Sequence, residues 1–374
     1  MFNLFDETEI NGMTLTNRLV RSATWEGMCE PDGRPTQRLI ECYGNLAKGG
    51  VGLIISSYTF VRPDGKQLPG QMGIYTDSFS DEMKELTTAV HTHGGKICMQ
   101  LVHAGGQTSS KAIGTRPLAP SAVERAQFPE PPLELSVKDI EDIIAQFGAC
   151  AARAREYGFD AVQLHAAHGY LINQFLSPLT NKRSDVYGGN PENRLRFLME
   201  VYQSVRGNVG TDFPVLIKLN VSDNLEGGLE PEEALGAARA LDQAGIDSVE
   251  VSAGTPASGD STPIRLGIKE RQQEAYNLSL AIQVKKNVGC PVMVVGGIRS
   301  IEVAEDIIQR GDSDYIALSR PFIREPDLAL RWQRGNRDRA TCISCNGCFK
   351  PGLKEGGIYC VIDRIEGEGK GYSA

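Results

Sequence analysis

The sequence has no excess of positive charge and no long hydrophobic run, and these two absences exclude several functions. It carries 39 Lys and Arg against 47 Asp and Glu, a formal net charge of −8. Because nucleic-acid binding requires a basic face, this balance predicts a small-molecule partner and no nucleic acid. The longest apolar runs, such as 51–55 and 291–295, have the length of strands and fall short of the roughly 20 residues that cross a membrane.

The N-terminal segment lacks the basic and apolar regions of an export signal. Residues 1–10 are mixed and carry Asp6, Glu7 and Glu9. We therefore expect a cytoplasmic protein without membrane contact. In that compartment, a chain with nine cysteines, four of them between Cys342 and Cys360, is more typical of metal binding than of disulfides.

Short apolar runs alternate eight times with segments of helical period, the pattern of a parallel sheet. The predicted strands are 19–22, 52–56, 96–101, 161–165, 215–220, 248–253, 292–296 and 315–319. The predicted helices are 36–48, 80–92, 138–157, 192–209, 231–244, 276–287, 301–309 and 327–334. No Gly-x-Gly-x-x-Gly turn follows an early strand, which argues against a doubly wound sheet. We predict an α/β fold, a (β/α)8 TIM barrel.

Additional segments are expected around this barrel. The run Glu9–Thr14 contains Asn-Gly and predicts an N-terminal β-hairpin that caps one mouth. Residues 107–135, rich in proline and small residues, predict a loop at the other mouth. We assign residues 1–335 to the barrel and 336–374 to a Cys-rich C-terminal extension packed on it. Active sites of such barrels lie at the C-terminal ends of the strands, so the polar residues found there are the candidates.

The most informative stretch follows the fourth predicted strand. It reads HAAHGYL at 165–171, FLSP at 175–178, NKRSD at 181–185 and YGG at 187–189. This run resembles the signature of the Old Yellow Enzyme family of NADH:flavin oxidoreductases and ene-reductases, especially the branch of bacterial enone reductases and 2,4-dienoyl-CoA reductase. The resemblance continues in order through Asn11-Gly12, Asn17-Arg18, the run QLVHAGG at 100–106, Gly296-Gly297 and Ser319-Arg320-Pro321.

The resemblance implies an FMN enzyme, reduced by NAD(P)H, that reduces the C=C bond of an α,β-unsaturated carbonyl compound or thioester. His165 and His168 lie three residues apart after a strand, so both imidazoles can donate to one carbonyl oxygen. Tyr170 can then protonate the α-carbon. Two histidines at this spacing also fit a metal site or ordinary polar residues at the start of a loop, and a loop tyrosine also fits simple packing.

The same resemblance implies the residues that hold FMN. A family glutamine at the position of Gln100 pairs with the pyrimidine edge of the flavin. Lys218, where relatives commonly carry arginine, would place a cation near the flavin N1 and O2 and stabilise the anionic reduced form. Glycines and an arginine after the last two strands resemble a phosphate site. The expected set is Ser22, Ala23, Thr24, Trp25, Ser56, Tyr58, Gln100, Lys218, Gly296, Gly297, Ser319 and Arg320.

Two positions depart from the family. Where relatives read approximately Ala-Pro-Met and then Thr or Cys, this chain reads Ser-Ala-Thr-Trp at 22–25. The residue that tunes the flavin is therefore Trp25 or Thr24, or Trp25 lines the substrate site instead. Tyr58 replaces a small residue at a turn that contacts the flavin.

Four cysteines, Cys342, Cys345, Cys348 and Cys360, have spacing suited to a four-thiolate site, either [4Fe–4S] or structural zinc, with free thiols as the alternative. The dienoyl-CoA reductase branch carries a cluster on a similar tail, with one more residue between its second and third cysteines. That branch continues into nucleotide-binding domains, whereas this sequence ends soon after Cys360. We therefore consider a second function, an FMN/iron–sulfur electron-transfer subunit supplied by an electron-donor protein. We also expect a homo-oligomer.

Overall fold

The fold is seen in a computed structural model that describes residues 2–365. The strands are β1 (Thr8–Ile10), β2 (Met13–Leu15), β3 (Leu19–Arg21), β4 (Leu53–Phe60), β5 (Ile97–Val102), β6 (Leu118–Ala119), β7 (Leu133–Glu134), β8 (Ala161–Ala166), β9 (Val215–Asn220), β10 (Ser248–Ser252), β11 (Val292–Val295) and β12 (Tyr315–Leu318). The α-helices are α1 (Gln37–Lys48), α2 (Ser80–His91), α3 (Ser110–Ile113), α4 (Val137–Glu156), α5 (Leu171–Leu176), α6 (Pro191–Val209), α7 (Pro231–Gln243), α8 (Leu278–Lys285), α9 (Ile301–Arg310), α10 (Arg320–Arg324), α11 (Leu328–Gln333), α12 (Phe349–Lys354) and α13 (Val361–Ile365).

Eight of these strands form a closed barrel in the order β3-β4-β5-β8-β9-β10-β11-β12. Each is parallel to its neighbours. This confirms the predicted (β/α)8 barrel, and most predicted boundaries lie within one or two residues of the observed ones. The exception is β4, which continues to Phe60 and shifts register between Ile55 and Tyr58. Tyr58 therefore lies in a strand, and its prediction as a turn residue is wrong.

The helices cover the barrel with apolar faces of helical period. In α4 the buried residues recur three or four positions apart, as in Ile140, Ile143 and Phe147. Ser136 begins this helix with a capping box, in which its side chain accepts from the Asp139 N–H and the Asp139 carboxylate accepts from the Ser136 N–H. Among residues 2–365, no helix combines the length and apolar character needed to cross a membrane.

The barrel interior has an apolar layer near its N-terminal end, and the β1–β2 hairpin completes that layer. Ile10, Met13 and Leu15 pack in one cluster with inward residues of the barrel strands such as Cys98 and Leu216. The hairpin turn has Asn11 at φ 43° and Gly12 at φ 78°, the left-handed pair that an Asn-Gly turn supplies. The predicted hairpin cap is confirmed, and it plugs the N-terminal end of the barrel.

The chain after α11 runs back to the opposite mouth of the barrel. The backbone N–H of Ile358 donates to the carbonyl of Glu26 at 2.8 Å. The Arg299 guanidinium donates to the Cys342 carbonyl, and Arg320 donates to Asn346 Oδ1 at 2.6 Å. These contacts hold the described part of the C-terminal extension against the barrel.

Candidate functional site

A cavity of about 350 Å³ opens at the C-terminal ends of the barrel strands. Its volume lies in the range of small-molecule sites. All but two of the predicted catalytic and FMN residues line it, namely Ser22, Ala23, Thr24, Trp25, Tyr58, Gln100, His165, His168, Tyr170, Lys218, Gly297, Ser319 and Arg320. Other lining residues carried no motif from which they could be predicted, among them Gln67, Ser252, Arg299, Ser344, Phe349 and Leu353.

The histidine loop follows directly from the end of β8. His165 lies on the strand, and the chain then turns through His168 at φ 60° and Gly169 at φ 77°. These left-handed residues reverse the backbone within two positions, so His168 returns toward His165. The two imidazole centroids are 5.1 Å apart.

Hydrogen bonds orient both imidazoles. The Ala167 N–H donates to His165 Nδ1 at 3.3 Å, so Nε2 is the nitrogen of His165 that carries a proton in the neutral ring. His168 Nε2 lies 2.7 Å from Ser252 Oγ. When this hydroxyl donates, His168 retains a proton on Nδ1. Ser252 was not predicted, although it ends a strand at the mouth, as the predicted site residues do.

Both histidines are neutral near pH 7. Burial lowers the pKa of His165 well below its ordinary value, and the charges of His168 and Lys218 lower it further. Burial and Lys218 lower the pKa of His168 in the same way. Each ring therefore offers one N–H donor without carrying a positive charge.

Tyr170 lies beside this pair, with its ring centroid 4.7 Å from that of His165. Its hydroxyl donates to Gln67 Oε1 at 2.7 Å, and the Tyr58 hydroxyl donates to the same oxygen at 3.0 Å. Burial raises the pKa of Tyr170 to about 12. The phenol therefore remains protonated throughout the neutral range, and Gln67 holds it in place.

The floor of the cavity contains a buried ion pair. Lys218 Nζ lies 2.9 Å from Glu250 Oε1 and donates to Ser22 Oγ at 2.8 Å. A buried lysine without a partner charge would be unfavourable. The structure supplies a carboxylate within the barrel, so the pair is neutral before any ligand is considered. Glu250 was not predicted.

Gln100 lies on the same floor. Its amide nitrogen donates to Gln163 Oε1 at 2.7 Å. Its own Oε1 is buried and has no hydrogen-bond partner within residues 2–365. A buried acceptor without a partner is unfavourable, and a ligand that donates an N–H to it would remove the penalty.

At the opposite end of the cavity, positively charged and backbone groups converge. Arg320 is buried, and its Nη1 donates to the carbonyl of Arg265 at 2.9 Å and to Asn346. Gly297 has φ 71°, and a Cβ there would lie 3.0 Å from the Tyr276 ring. Arg299 also lines this end. Cationic side chains and a glycine backbone therefore gather at this end of the cavity.

Two predicted FMN residues do not line the cavity. Ser56 Oγ donates to the Ser57 carbonyl at 2.9 Å and accepts from the Gln100 N–H at 3.2 Å. The register shift in β4 directs Tyr58 to the cavity instead. The Gly296 carbonyl accepts from the Tyr276 N–H, so this glycine packs against that residue. Contact of these two residues with FMN remains a prediction.

Trp25 forms the contact between the cavity and the C-terminal extension. Its indole N–H donates to the Pro69 carbonyl at 3.1 Å, which leaves its apolar surface for packing. A Cβ at Gly352 would lie 2.8 Å from a Trp25 ring atom, so glycine allows α12 to approach the ring. The predicted loop at 107–135 does not line this cavity; Ser344, Phe349 and Leu353 of the extension do.

The four extension cysteines line one small cavity of about 20 Å³, together with Arg320. The Gly347 N–H donates to Cys345 Sγ at 3.4 Å. Burial raises the pKa of Cys348 to about 12. Within residues 2–365, however, no three His, Cys, Asp or Glu side chains are arranged so that they could hold a metal ion. The prediction of a metal at these cysteines is not confirmed.

The closed parallel barrel with polar groups at the C-terminal ends of its strands is the architecture of a (β/α)8 enzyme. Comparison with known proteins gives the family, since residues 3–339 match the NADH:flavin oxidoreductase / NADH oxidase family. The chain belongs to this family, which confirms the resemblance to Old Yellow Enzymes. The match ends before the first of the four extension cysteines.

Known relatives share this architecture. The chain is 38% identical to an NADH oxidase of Thermoanaerobacter brockii, over 99% of this chain and 57% of that protein. The structure of a 2-naphthoyl-CoA reductase in complex with 2-naphthoyl-CoA superposes with a TM-score of 0.90 at 29% identity, covering 98% of this chain and 57% of that one. An Old Yellow Enzyme homologue from Zymomonas mobilis matches with a TM-score of 0.77 at 28% identity, over 92% of this chain and 96% of that one. The chain thus spans little more than half the length of the first two relatives.

Proposed function

We propose that this chain binds FMN in the cavity at the barrel mouth and uses NAD(P)H to reduce the C=C bond of an α,β-unsaturated carbonyl compound or thioester. The observation that carries the proposal is the convergence of two neutral imidazoles and one protonated phenol on the cavity. The 2-naphthoyl-CoA bound to the structural relative supports a thioester as one substrate class.

The residues present fit FMN. The unpartnered Gln100 Oε1 can accept from the flavin N3–H, and Lys218 can face the N1 and O2 edge. Gly297, Ser319 and Arg320 can hold the phosphate. When bound and reduced, FMN supplies the hydride for the β-carbon of the substrate.

The protein residues act on the other atoms of the substrate. His165 and His168 each donate one N–H to the carbonyl oxygen and stabilise the negative charge that develops there. Tyr170 delivers the proton to the α-carbon. Gln67 positions the Tyr170 hydroxyl, because the side-chain oxygen of Gln67 accepts a hydrogen bond from it. The same Gln67 oxygen also accepts from the Tyr58 hydroxyl.

An anaerobic absorption titration tests the proposal. NADH or NADPH is added to the purified protein until the flavin absorbance is bleached, and 2-cyclohexenone is then added. We expect the absorbance to return as the enone is reduced. A protein that contains no FMN, or whose reduced flavin is not reoxidised by any enone or enoyl thioester, would contradict the proposal.

A second candidate function is an electron-transfer subunit with a [4Fe–4S] cluster, or zinc, at Cys342, Cys345, Cys348 and Cys360. Two observations favour it: the four cysteines line one cavity, and Arg320 lines both this cavity and the larger one. In this role the extension predicted at 336–374, of which residues 336–365 are described, binds the cluster, and an electron-donor protein replaces NAD(P)H. Flavin reduction by a ferredoxin or flavoprotein, but by neither nucleotide, would support it. Rapid turnover of enone with NAD(P)H by the isolated chain would contradict it.

A further inference from the structure

A chain of buried hydrogen bonds runs beneath the cavity and joins three of its lining residues. It starts at Gln100, whose amide nitrogen donates to Gln163 Oε1 at 2.7 Å. Gln163 Nε2 then donates to Glu250 Oε2 at 2.9 Å. The other oxygen of Glu250 accepts from Lys218 Nζ at 2.9 Å and from Ser22 Oγ at 2.6 Å. Neither Gln163 nor Glu250 lines the cavity.

Strand register places these residues next to one another. Gln163 on β8 is opposite Gln100 on β5, and Glu250 on β10 is opposite Lys218 on β9. Gln100 follows the core residue Cys98 by two positions and therefore points inward as Cys98 does. Gln100, Gln163 and Glu250 are fully buried. Each side chain of the hydrogen-bond chain thus depends on its neighbours for partners.

The Glu250 carboxylate determines which group donates and which accepts in each of these hydrogen bonds. An ionised Glu250 can only accept, so Gln163 must present its NH₂ group to it. The carbonyl oxygen of Gln163 then faces Gln100 and accepts from its NH₂ group. Gln100 is left with a carbonyl oxygen for the ligand, in agreement with its unpartnered Oε1. Glu250 thereby determines, through one intervening amide, which atom Gln100 offers.

Glu250 also controls the charge of the cavity floor. Its carboxylate opposes the field of Lys218, a lining residue of the cavity that we expect to face the flavin N1 edge. A negative charge that develops on the ligand is therefore stabilised less than it would be by an unpaired lysine. The carboxylate and the ammonium together hold Ser22, a third residue of the floor.

We propose that Glu250 is a positioning residue that fixes Gln100 as an acceptor for the flavin N3–H and, by pairing with Lys218, holds the reduction potential of the bound flavin down. This inference rests on the proposed binding of FMN. It assigns a role to two residues, Glu250 and Gln163, that do not touch the cofactor.

Two variants separate the two effects. Glu250→Gln removes the charge and allows the hydrogen-bond chain to reverse, because an amide can donate to Gln163. We expect weaker binding of oxidised FMN and a stronger preference for the reduced form, by about tenfold in the ratio of dissociation constants. For a two-electron couple, this ratio corresponds to a potential higher by about 30 mV. Gln163→Met interrupts the hydrogen-bond chain but keeps the ion pair between Lys218 and Glu250. It should therefore weaken FMN binding several-fold and leave the reduction potential of the flavin near the wild-type value.

The experiment measures the FMN dissociation constant of the full-length apoprotein by fluorescence quenching, and the potential of the holoprotein by titration against a reference dye. Thermal unfolding of each variant checks the fold. If Glu250→Gln does not fold, Lys218→Met combined with Glu250→Gln avoids an unpaired buried charge. This double variant should lose the stabilisation by Lys218, so its potential should not rise above that of the wild type.

The outcomes distinguish this inference from the function on which it rests. A wild-type protein that binds no FMN overturns both. A wild-type protein that binds FMN, with a Glu250→Gln potential equal to or below its own, overturns the role of Glu250 in the potential alone. Unchanged FMN affinity in Gln163→Met overturns the orienting role. A raised potential in Glu250→Gln together with weakened FMN binding in Gln163→Met supports the whole proposal.

Discussion

The barrel mouth and the cysteine cavity differ in what positions their side chains. At the mouth, His165 and Lys218 lie on neighbouring parallel strands and are opposite each other in register. The cysteines lie on irregular chain, in which Ser344 and Asn346 adopt φ values of 57° and 58°. Side chains on the strands of a sheet are held in place by the neighbouring strands. In a site built on a loop, the position of each side chain depends on the conformation of the local turn. The mouth accordingly brings its donors together without a ligand, and the cysteines line a cavity without forming a ligand set.

This contrast separates preorganised chemistry from chemistry that requires a bound group. Hydrogen bonds from the Ala167 N–H and with the Ser252 hydroxyl orient the two imidazoles before any substrate arrives. The cysteines have thiols whose protons a metal or cluster would have to displace. The following experiments test this difference, beginning with the largest expected effect.

Replacement of both His165 and His168 by alanine should reduce enone turnover by at least about 10³-fold. Each substitution removes one preorganised N–H donor, and one such donor contributes about 10²–10³-fold to the rate. Steady-state kinetics of the reconstituted protein, with the flavin spectrum as a measure of FMN content, gives the result. The matched control is His93→Ala at an exposed histidine, which should behave as the wild type. Unchanged turnover in the double variant, with FMN bound, would mean that the mouth is not the reacting site.

Tyr170→Phe should reduce the rate of the enone step by about 10²-fold, in line with the loss of a general acid. Rapid-mixing of reduced protein with enone isolates this step. Tyr58→Phe is the control, since Tyr58 shares the Gln67 oxygen but is not assigned the proton; its effect should be several-fold at most. Equal losses of rate in the two variants would mean that Tyr58 and Tyr170 together supply the proton, and not Tyr170 alone.

Cys345→Ser should reduce the iron and acid-labile sulfide of anaerobically purified protein to background if the cysteine cavity matures around a cluster. FMN content should fall less than iron content, because Gln100 and Lys218 lie on barrel strands and not on the extension. Elemental analysis and the visible spectrum measure both, and Cys290→Ser, outside the extension, is the control. Zinc in place of iron would favour a structural site, and a wild-type protein without either metal would favour free thiols.

Gly352→Ala should increase the rate of FMN release several-fold, because its Cβ would lie 2.8 Å from a Trp25 ring atom and would push α12 away from the cavity. Gly236→Ala lies in α7, where the nearest atom to the added Cβ is 4.0 Å away, and serves as the control. Stopped-flow measurement of FMN release, in the presence of an excess of a flavin-binding protein that captures the released FMN, gives both rates. Identical release in the two variants would show that the extension does not retain the cofactor.

The smallest expected effect is an absence of change with pH. Because the pKa values of His165 and His168 are lowered, both rings stay neutral as the pH falls through about 6.5, the ordinary value for histidine. We therefore expect kcat/KM for a neutral enone to be constant across that pH. A decline with a midpoint near 6.5 would show that at least one ring titrates normally and that the cavity is wetter than its burial indicates.

The sequence was sufficient to predict the barrel and the residues on its regular strands. Lys218 and Gln100 could be located because apolar runs predicted their strands and the resemblance to the family marked these two positions. Glu250 carried a comparable signal, an acidic residue between Val249 and Val251 in a predicted strand, but no motif pointed to it. A single buried acidic residue becomes interpretable only when its partner on the next strand is known.

Other residues could not be predicted, for definite physical reasons. Ser56 does not line the cavity, because the register shift in β4 changes which side chains face inward. A shift of this kind leaves no mark in the alternation of residues. Phe349 and Leu353 reach the cavity through a packed extension whose path depends on tertiary contacts such as Trp25 against Gly352. Local propensity contains no information on such a path.

The hairpin plug at the N-terminal end has a consequence for the order of events during turnover. Ile10, Met13 and Leu15 fill that end of the barrel, so small molecules must enter and leave at the other. In the proposed function the nucleotide and the unsaturated substrate both need the face of the flavin beside His165, and they must occupy it in succession. Double-reciprocal plots at several fixed nucleotide concentrations should then be parallel, and a large excess of either reactant should slow the other by occupying the shared entrance.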